Sequence, residues 1–121
     1  KDNHIEAADG ITSAIRRVRA GMAKGNRTLK IEVEVKDLDE LREALACQVD
    51  RVMLDNVDPD TIQGAVNLVR EIQERPEIEV SGGITLDSIG MIAQTGVDFI
   101  SVGSLTHSVP ALAVSLQFRS R

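Results

Sequence analysis

Four short segments limit what this chain can fold into: Ile31-Glu32-Val33-Glu34, Val52-Met53-Leu54-Asp55, Ile78-Glu79-Val80-Ser81-Gly82-Gly83 and Phe99-Ile100-Ser101-Val102-Gly103. Each ends on a polar or glycine residue, their spacing is nearly constant, and a stretch of helical period separates each from the next. Strands that alternate with helices in this way build parallel sheets from βα units, and the C-terminal ends of parallel strands open on one face. The pattern predicts that Glu34, Asp55, the Ser81-Gly82-Gly83 turn and Gly103 meet at a shared rim.

Local signals place the elements. Residues 1–9 show no clear period, and Asp9-Gly10 reads as a helix start with Asp9 as its N-cap. Ile11, Ala14, Ile15, Val18 and Met22 then recur at helical spacing, with Arg16, Arg17, Arg19 and Lys24 on the other face and Gly25-Asn26 at the end. A strand is expected over 30–35, followed by a short helix marked by Leu38, Leu41, Ala44 and Leu45. A second strand over 51–54 leads to Asp58-Pro59, an aspartate cap with proline in the first turn. Ile62, Ala65, Val66, Val69 and Ile72 form the buried stripe of that helix, and Pro76 stops it. A third strand over 77–80, a helix over 86–94 with Gly96 past its end and a last strand over 98–102 complete the units. A final helix is expected over 110–118. The result is an α/β chain of about four parallel strands and five helices, a partial TIM-like barrel in one domain spanning residues 1–121.

Size agrees with a part and not a whole. The 121 residues, 42% hydrophobic and 27% charged, suffice for one modest core, whereas a full (β/α)₈ barrel takes about 250. A four-stranded half leaves two unpaired edges, so missing chain or a second copy is expected to supply the rest. A start at Lys1 in what reads as mid-motif points to a fragment or trimmed chain that lacks the first barrel strands and any N-terminal domain. The net charge of −5, with two Phe and no Tyr or Trp, argues against nucleic acid as the main partner. No apolar run approaches the ~20 residues of a membrane span. Cys47 can form no intramolecular disulfide, reads as a structural thiol at a helix end, and with no signal-like segment suits the cytoplasm.

Glu34 and Asp55 stand where strands leave the sheet, the position from which βα-barrels present catalytic groups. Paired carboxylates there can hold Mg²⁺ through oxygen ligands, accept hydrogen bonds from sugar hydroxyls, or act as acid and base; capping of the next helix is the plainer role, above all for Asp55-Asn56. Glu32 and Glu34 share one face of their strand and Ile31, Val33 and Val35 the other. With helices on the apolar face, the glutamates point inward. Gly82-Gly83-Ile84-Thr85 and Gly103-Ser104-Leu105-Thr106 follow the last two strands, where phosphate sites of this architecture are built from glycine-rich backbone and a helix N-terminus. Tight turns are the alternative reading of the glycines. His107 and His4 have no metal-ligand spacing to another His or Cys, which argues against zinc; either serves as a hydrogen-bonded structural residue or as a catalyst. Lys1 is the one cation near the expected mouth, on the rim that carries Glu34.

Five motifs, in order from the first residue nearly to the last, carry a family resemblance: Lys1-Asp2-Asn3-His4, Glu32-Val33-Glu34-Val35, Met53-Leu54-Asp55-Asn56, Val80-Ser81-Gly82-Gly83-Ile84, and Gly96-Val97-Asp98 with Val102-Gly103-Ser104-Leu105-Thr106-His107-Ser108. Together they resemble the C-terminal part of the quinolinate phosphoribosyltransferases, the carboxylating nicotinate-nucleotide pyrophosphorylases. The resemblance implies an NAD-biosynthetic transferase that joins quinolinate to phosphoribosyl pyrophosphate and releases pyrophosphate and CO₂ to give nicotinate mononucleotide. It implies an incomplete barrel, Mg²⁺, and a homodimer or larger assembly. It assigns Lys1 to substrate anions, Glu34 and Asp55 to ribose hydroxyls and Mg²⁺, and Ser81, Gly82, Gly83, Gly103, Ser104 and His107 to the surroundings of the 5′-phosphate. The chain departs from what the chemistry asks in one respect. Arg16, Arg17 and Arg19 lie on a helix surface, so the cationic pocket for the two quinolinate carboxylates is expected upstream or from a neighbouring subunit. The alternatives are a molybdenum-transport-associated relative with another acceptor, and a non-catalytic half-barrel that binds phosphate or self-associates.

Overall fold

A computed structural model describes residues 1–108 and 111–118. Its elements, in chain order, are α1 (Asp2–Glu6), α2 (Ile11–Lys24), β1 (Glu32–Val35), α3 (Leu38–Ala46), β2 (Arg51–Asp55), α4 (Pro59–Arg70), β3 (Glu77–Ser81), α5 (Leu86–Thr95), β4 (Phe99–Ser101) and α6 (Ser104–His107). All neighbouring strands pair in parallel, and the sheet order β1-β2-β3-β4 repeats the order of the chain. Successive βα units of a barrel have this topology.

Caps written in the sequence set most helix boundaries. The Asp58 carboxylate accepts from the Thr61 N–H at 2.9 Å, and Pro59 occupies the first turn of α4. Asp37 caps α3 by accepting from Asp39 N and Glu40 N. At α5, Thr85 and Ser88 cap each other reciprocally, and Gly96 closes the helix with φ +90°, a left-handed conformation open to glycine. Each side-chain cap of this kind contributes about 1 kcal/mol.

The alternation of each strand divides the sheet into two faces. Val33, Val35, Val52, Leu54, Ile78 and Val80 are buried, and they pack against Ile11, Ile15, Leu41, Ala44, Ile62, Ala65, Val66, Val69 and Ile92 from the helices. Burial of each larger aliphatic side chain contributes about 1.5–3 kcal/mol. The other face carries Glu32, Glu34, Arg51, Asp55, Glu77, Glu79 and Ser81. Cys47 is the C-cap residue of α3 and packs at the core margin, 3.6 Å from the Thr12 hydroxyl, as its structural reading expects.

Three local expectations need correction. Asp9 does not cap α2: it sits at φ +61°, and Gly10, at φ +116°, occupies the cap position without a side-chain hydrogen bond. The tight turn after α1 uses the backbone freedom of glycine there. Residues 2–6 form a short helix although the segment has no hydrophobic period and buries no residue. The helix expected over 110–118 is not formed at 111–118, which have no regular structure; Pro110 lies outside the described residues. Leu112, Val114, Leu116 and Phe118 recur at every second position and are 80–91% exposed, a spacing that gives a helix no apolar stripe.

Asp98 ties the start of β3 to the approach of β4. Its carboxylate accepts from the Ile78 N–H at 2.8 Å and from both Arg75 Nη atoms at 2.7 Å. Hydrogen bonding from Arg75 holds the carboxyl below its ordinary value of 3.8. Because the folded-state value is the lower one, this stabilisation is complete above the ordinary value and is lost as pH falls through the folded value. Asp98→Asn is expected to lower stability at neutral pH by about 1–2 kcal/mol. Thermal melts of both proteins are expected to converge as the pH drops below 3.8.

Candidate functional site

Parallel register brings the site together from separate parts of the chain. Asp55 stands opposite Ser81, and Ser81 opposite Ser101. Two residues earlier along the strands, Glu34 stands opposite Met53, Met53 opposite Glu79 and Glu79 opposite Phe99. Every second residue shares a face, so Glu34, Asp55 and Ser81 lie on the polar side, with Val33 and Val35 buried on the other. Asp55 and Ser81 are the last residues of their strands.

The two glycine turns follow at the same end of the sheet. Gly82 and Gly83 have φ of +87° and +62°, values that disfavour L side chains. A Cβ on Gly82 would also lie 2.4 Å from the Asn56 side chain. Beyond β4, a Cβ on Gly103 would lie 3.1 Å from His107 Nε2. Ser81, Gly82, Gly83, Gly103, Ser104 and His107 line one cavity of about 420 Å³, together with Ile84, Thr85 and Ser101. Among the described residues, the N–H groups of Gly82, Gly83 and Gly103 donate to no backbone carbonyl. They are open donors beside a cavity of the size a sugar phosphate needs.

Helix dipoles contribute less than the sequence suggests. α6 spans four residues, too short to add a dipole at Gly103. Its single turn instead orients the imidazole: the His107 N–H donates to the Gly103 carbonyl at 3.2 Å, and Nδ1 lies 2.7 Å from the Ser108 hydroxyl. α5, with ten residues, starts two residues after Ile84 and is long enough to favour an anion at its N-terminus.

A charged floor extends from the cavity across the polar face. Arg51 donates through Nε and Nη2 to Glu77 Oε2 at 3.1 and 2.8 Å and through Nη1 to Glu79 Oε2 at 3.2 Å. Its guanidinium lies 4.0 Å from the Phe99 ring centroid. Glu79 is only 7% exposed, and its other oxygen accepts from the Ser101 hydroxyl. Burial, and then the negative charge of Glu79, push the Glu32 carboxyl above its ordinary value of 4.5, while the Arg51 hydrogen bond holds that of Glu77 below it. Among the described residues no buried side-chain polar atom lacks a partner.

Lys1 and His4 lie elsewhere. They line a separate cavity with Lys30, Ile31, Glu32 and Val33 at the start of β1. The structure brings six of the expected phosphate-site residues into one cavity and sets Glu34 and Asp55 on the adjoining face, but it does not bring Lys1 to the glycine turns. Sequence reasoning missed Arg51, Glu79, Ser101 and Asn56. The alternation Glu77-Ile78-Glu79-Val80-Ser81 repeats that of Glu32-Val33-Glu34-Val35 and carried the signal for Glu79. Among the described residues no group of three or more His, Cys, Asp or Glu forms a ready cation cage. Two carboxylates on one face suit an ion that keeps most of its waters or takes oxygens from a substrate.

Comparison with known proteins places this arrangement. The family described as quinolinate phosphoribosyl transferase, C-terminal domain, matches residues 1–117. A probable nicotinate-nucleotide pyrophosphorylase [carboxylating] of Methanocaldococcus jannaschii is 48% identical over 96% of this chain and 41% of its own length. The Arabidopsis thaliana nicotinate-nucleotide pyrophosphorylase [carboxylating], named as chloroplastic, is 41% identical over 97% of this chain and 37% of its own. The solved nicotinate-nucleotide pyrophosphorylase of Francisella tularensis superposes with a TM-score of 0.72 and 46% identity, covering 86% of this chain and 35% of that one. The chain thus spans about two fifths of the length of these relatives, and their names do not favour the molybdenum-transport alternative. Five motifs, a parallel α/β sheet and a glycine-lined cavity at its C-terminal end agree with this match: the chain belongs to the quinolinate phosphoribosyltransferase family, as part of its C-terminal domain.

Proposed function

We propose that these residues form the sugar-phosphate half of an enzyme that transfers the phosphoribosyl group of phosphoribosyl pyrophosphate to quinolinate, releasing pyrophosphate and CO₂ and leaving nicotinate mononucleotide. The observation that carries the reading is the single cavity lined by Ser81, Gly82, Gly83, Gly103, Ser104 and His107, with Glu34 and Asp55 on the adjoining sheet face.

The backbone N–H groups of the two turns hold the 5′-phosphate, with Ser81, Ser104 and His107 as further donors. Asp55 and Glu34 accept hydrogen bonds from the ribose hydroxyls. As the bond from ribose to pyrophosphate breaks, positive charge builds on the sugar, and these carboxylates favour that state over the bound substrate. Glu34 and Asp55 would hold Mg²⁺ directly or through water, and the ion would supply neutralisation of the departing pyrophosphate. The Arg51-Glu79-Ser101 chain, buried at Glu79, keeps the floor rigid beneath them.

Recognition of the quinolinate carboxylates calls for bidentate arginines. Arg51 is committed to Glu77 and Glu79, and Arg19 to the Cys47 and Gln48 carbonyls at the end of α3. The dicarboxylate pocket is therefore assigned to groups beyond these residues, while Lys1, expected to contact substrate anions, lies at the start of β1. Assembly as a homodimer or larger oligomer is part of the same reading. A reducing compartment such as the cytoplasm suits the free thiol of Cys47.

Turnover of quinolinate with phosphoribosyl pyrophosphate and Mg²⁺, by the complete polypeptide that carries these residues, tests the reading. Glu34→Ala is expected to lower kcat by roughly a hundredfold or more, the scale of one lost transition-state contact; undiminished turnover removes Glu34 from the mechanism. Gly82→Ala must place its Cβ against Asn56 at a φ of +87°. In steady-state kinetics it is expected to raise KM for phosphoribosyl pyrophosphate by about tenfold, equivalent to about 1.4 kcal/mol of binding.

A further inference from the structure

We propose that Asn56 is a positioning residue that sets the spacing between the Asp55 carboxylate and the Ser81-Gly82-Gly83 turn, so that one sugar phosphate can reach both. The inference rests on the phosphoribosyl reading of the site and adds a residue to it. Asn56 leaves β2 with φ +52°, a left-handed conformation that asparagine tolerates better than most residues and glycine best of all. Backbone geometry alone would be served by glycine. The amide has to be explained by what it touches.

Its contacts reach both halves of the site. The Asn56 N–H donates to the Ser81 carbonyl at 2.9 Å, fixing the point where the turn leaves β3. Nδ2 donates to Asp55 Oδ2 at 3.0 Å, which selects one carboxylate rotamer and directs Oδ1 to an incoming hydroxyl. The side-chain amide fills the space where a Gly82 Cβ would sit, at 2.4 Å, and its Oδ1 lies 3.8 Å from the corresponding position on Gly83. The residue that orients the carboxylate thus also packs against the phosphate turn. Loss of the amide frees the Asp55 rotamer and opens a gap over Gly82 while leaving the sheet hydrogen bond in place.

Two substitutions separate this role from a folding role in the complete polypeptide, assayed with phosphoribosyl pyrophosphate, quinolinate and Mg²⁺. Asn56→Gly keeps the left-handed backbone and removes the amide. Its Tm is expected to stay near that of the unaltered protein, while KM for phosphoribosyl pyrophosphate rises about tenfold, the scale of one lost hydrogen bond to a charged group. Asn56→Asp keeps the shape but sets an acceptor against Asp55, and is expected to lose more than Asn56→Gly at equal Tm. A KM in Asn56→Gly within about twofold of the unaltered protein, below the worth of one such hydrogen bond, overturns the inference, as does a loss of activity matched by an equal loss of folded protein. If the unaltered protein neither binds nor turns over phosphoribosyl pyrophosphate, the phosphoribosyl reading itself fails and takes this inference with it.

Discussion

Arg51 reaches Glu77 and Glu79 from the start of β2 on the polar sheet face, and the site depends on that pairing. A row of carboxylates at Glu32, Glu34, Asp55, Glu77 and Glu79 along three adjacent strands would repel itself, most severely at Glu79, where little solvent remains to screen it. The guanidinium offsets two of those charges at once and rests its flat face on Phe99, a geometry lysine could not reproduce. With Glu79 satisfied by Arg51 and Ser101, Glu34 and Asp55 stay available for a ligand. Arg51 and Glu77 thus share a face with Asp55, two rungs from it, while Glu79 stands on the rung of Glu34.

That separation follows from the pleat. Successive residues on one face advance by two positions, so Glu32 and Arg51 lie at the beginning of the strands, Glu34 and Glu79 in the middle, and Asp55, Ser81 and Ser101 at the exit. The Arg51–Glu77 pair stands at the entrance, and the glycine turns follow the exit beside the cavity. The arrangement tolerates exchange of the outer helix surfaces far better than a shift in strand register. A one-residue slip would turn every carboxylate into the apolar core.

Much of the fold was legible in the sequence because each unit carries its own punctuation. Asp58-Pro59 and Gly96 mark helix ends by chemistry that acts within a few residues, and they stand where that chemistry puts them. The grouping of Ser81, Gly82, Gly83, Gly103, Ser104 and His107 around one cavity was legible for the same reason: strand exits lead into these residues, and the exits could be counted. What escaped depends on partners far along the chain. Arg51 looks like an ordinary surface residue until β3 lies beside it, and Asn56 looks like a turn former until Gly82 is packed against it. The segment 111–118 misled because its composition is helical while its period is not. Lys1 could be read only by its motif, and the neighbours the structure gives it lie at the start of β1.

The sheet order also has a kinetic side. Among the described residues every strand pairs only with the strand of the preceding or following βα unit, so none of these hydrogen-bonded ladders joins segments far apart in the chain. The entropy of loop closure is paid in small, equal instalments, and low contact order of this kind is associated with fast folding. Two adjacent units can serve as a nucleus, and each further unit docks on an edge already in place.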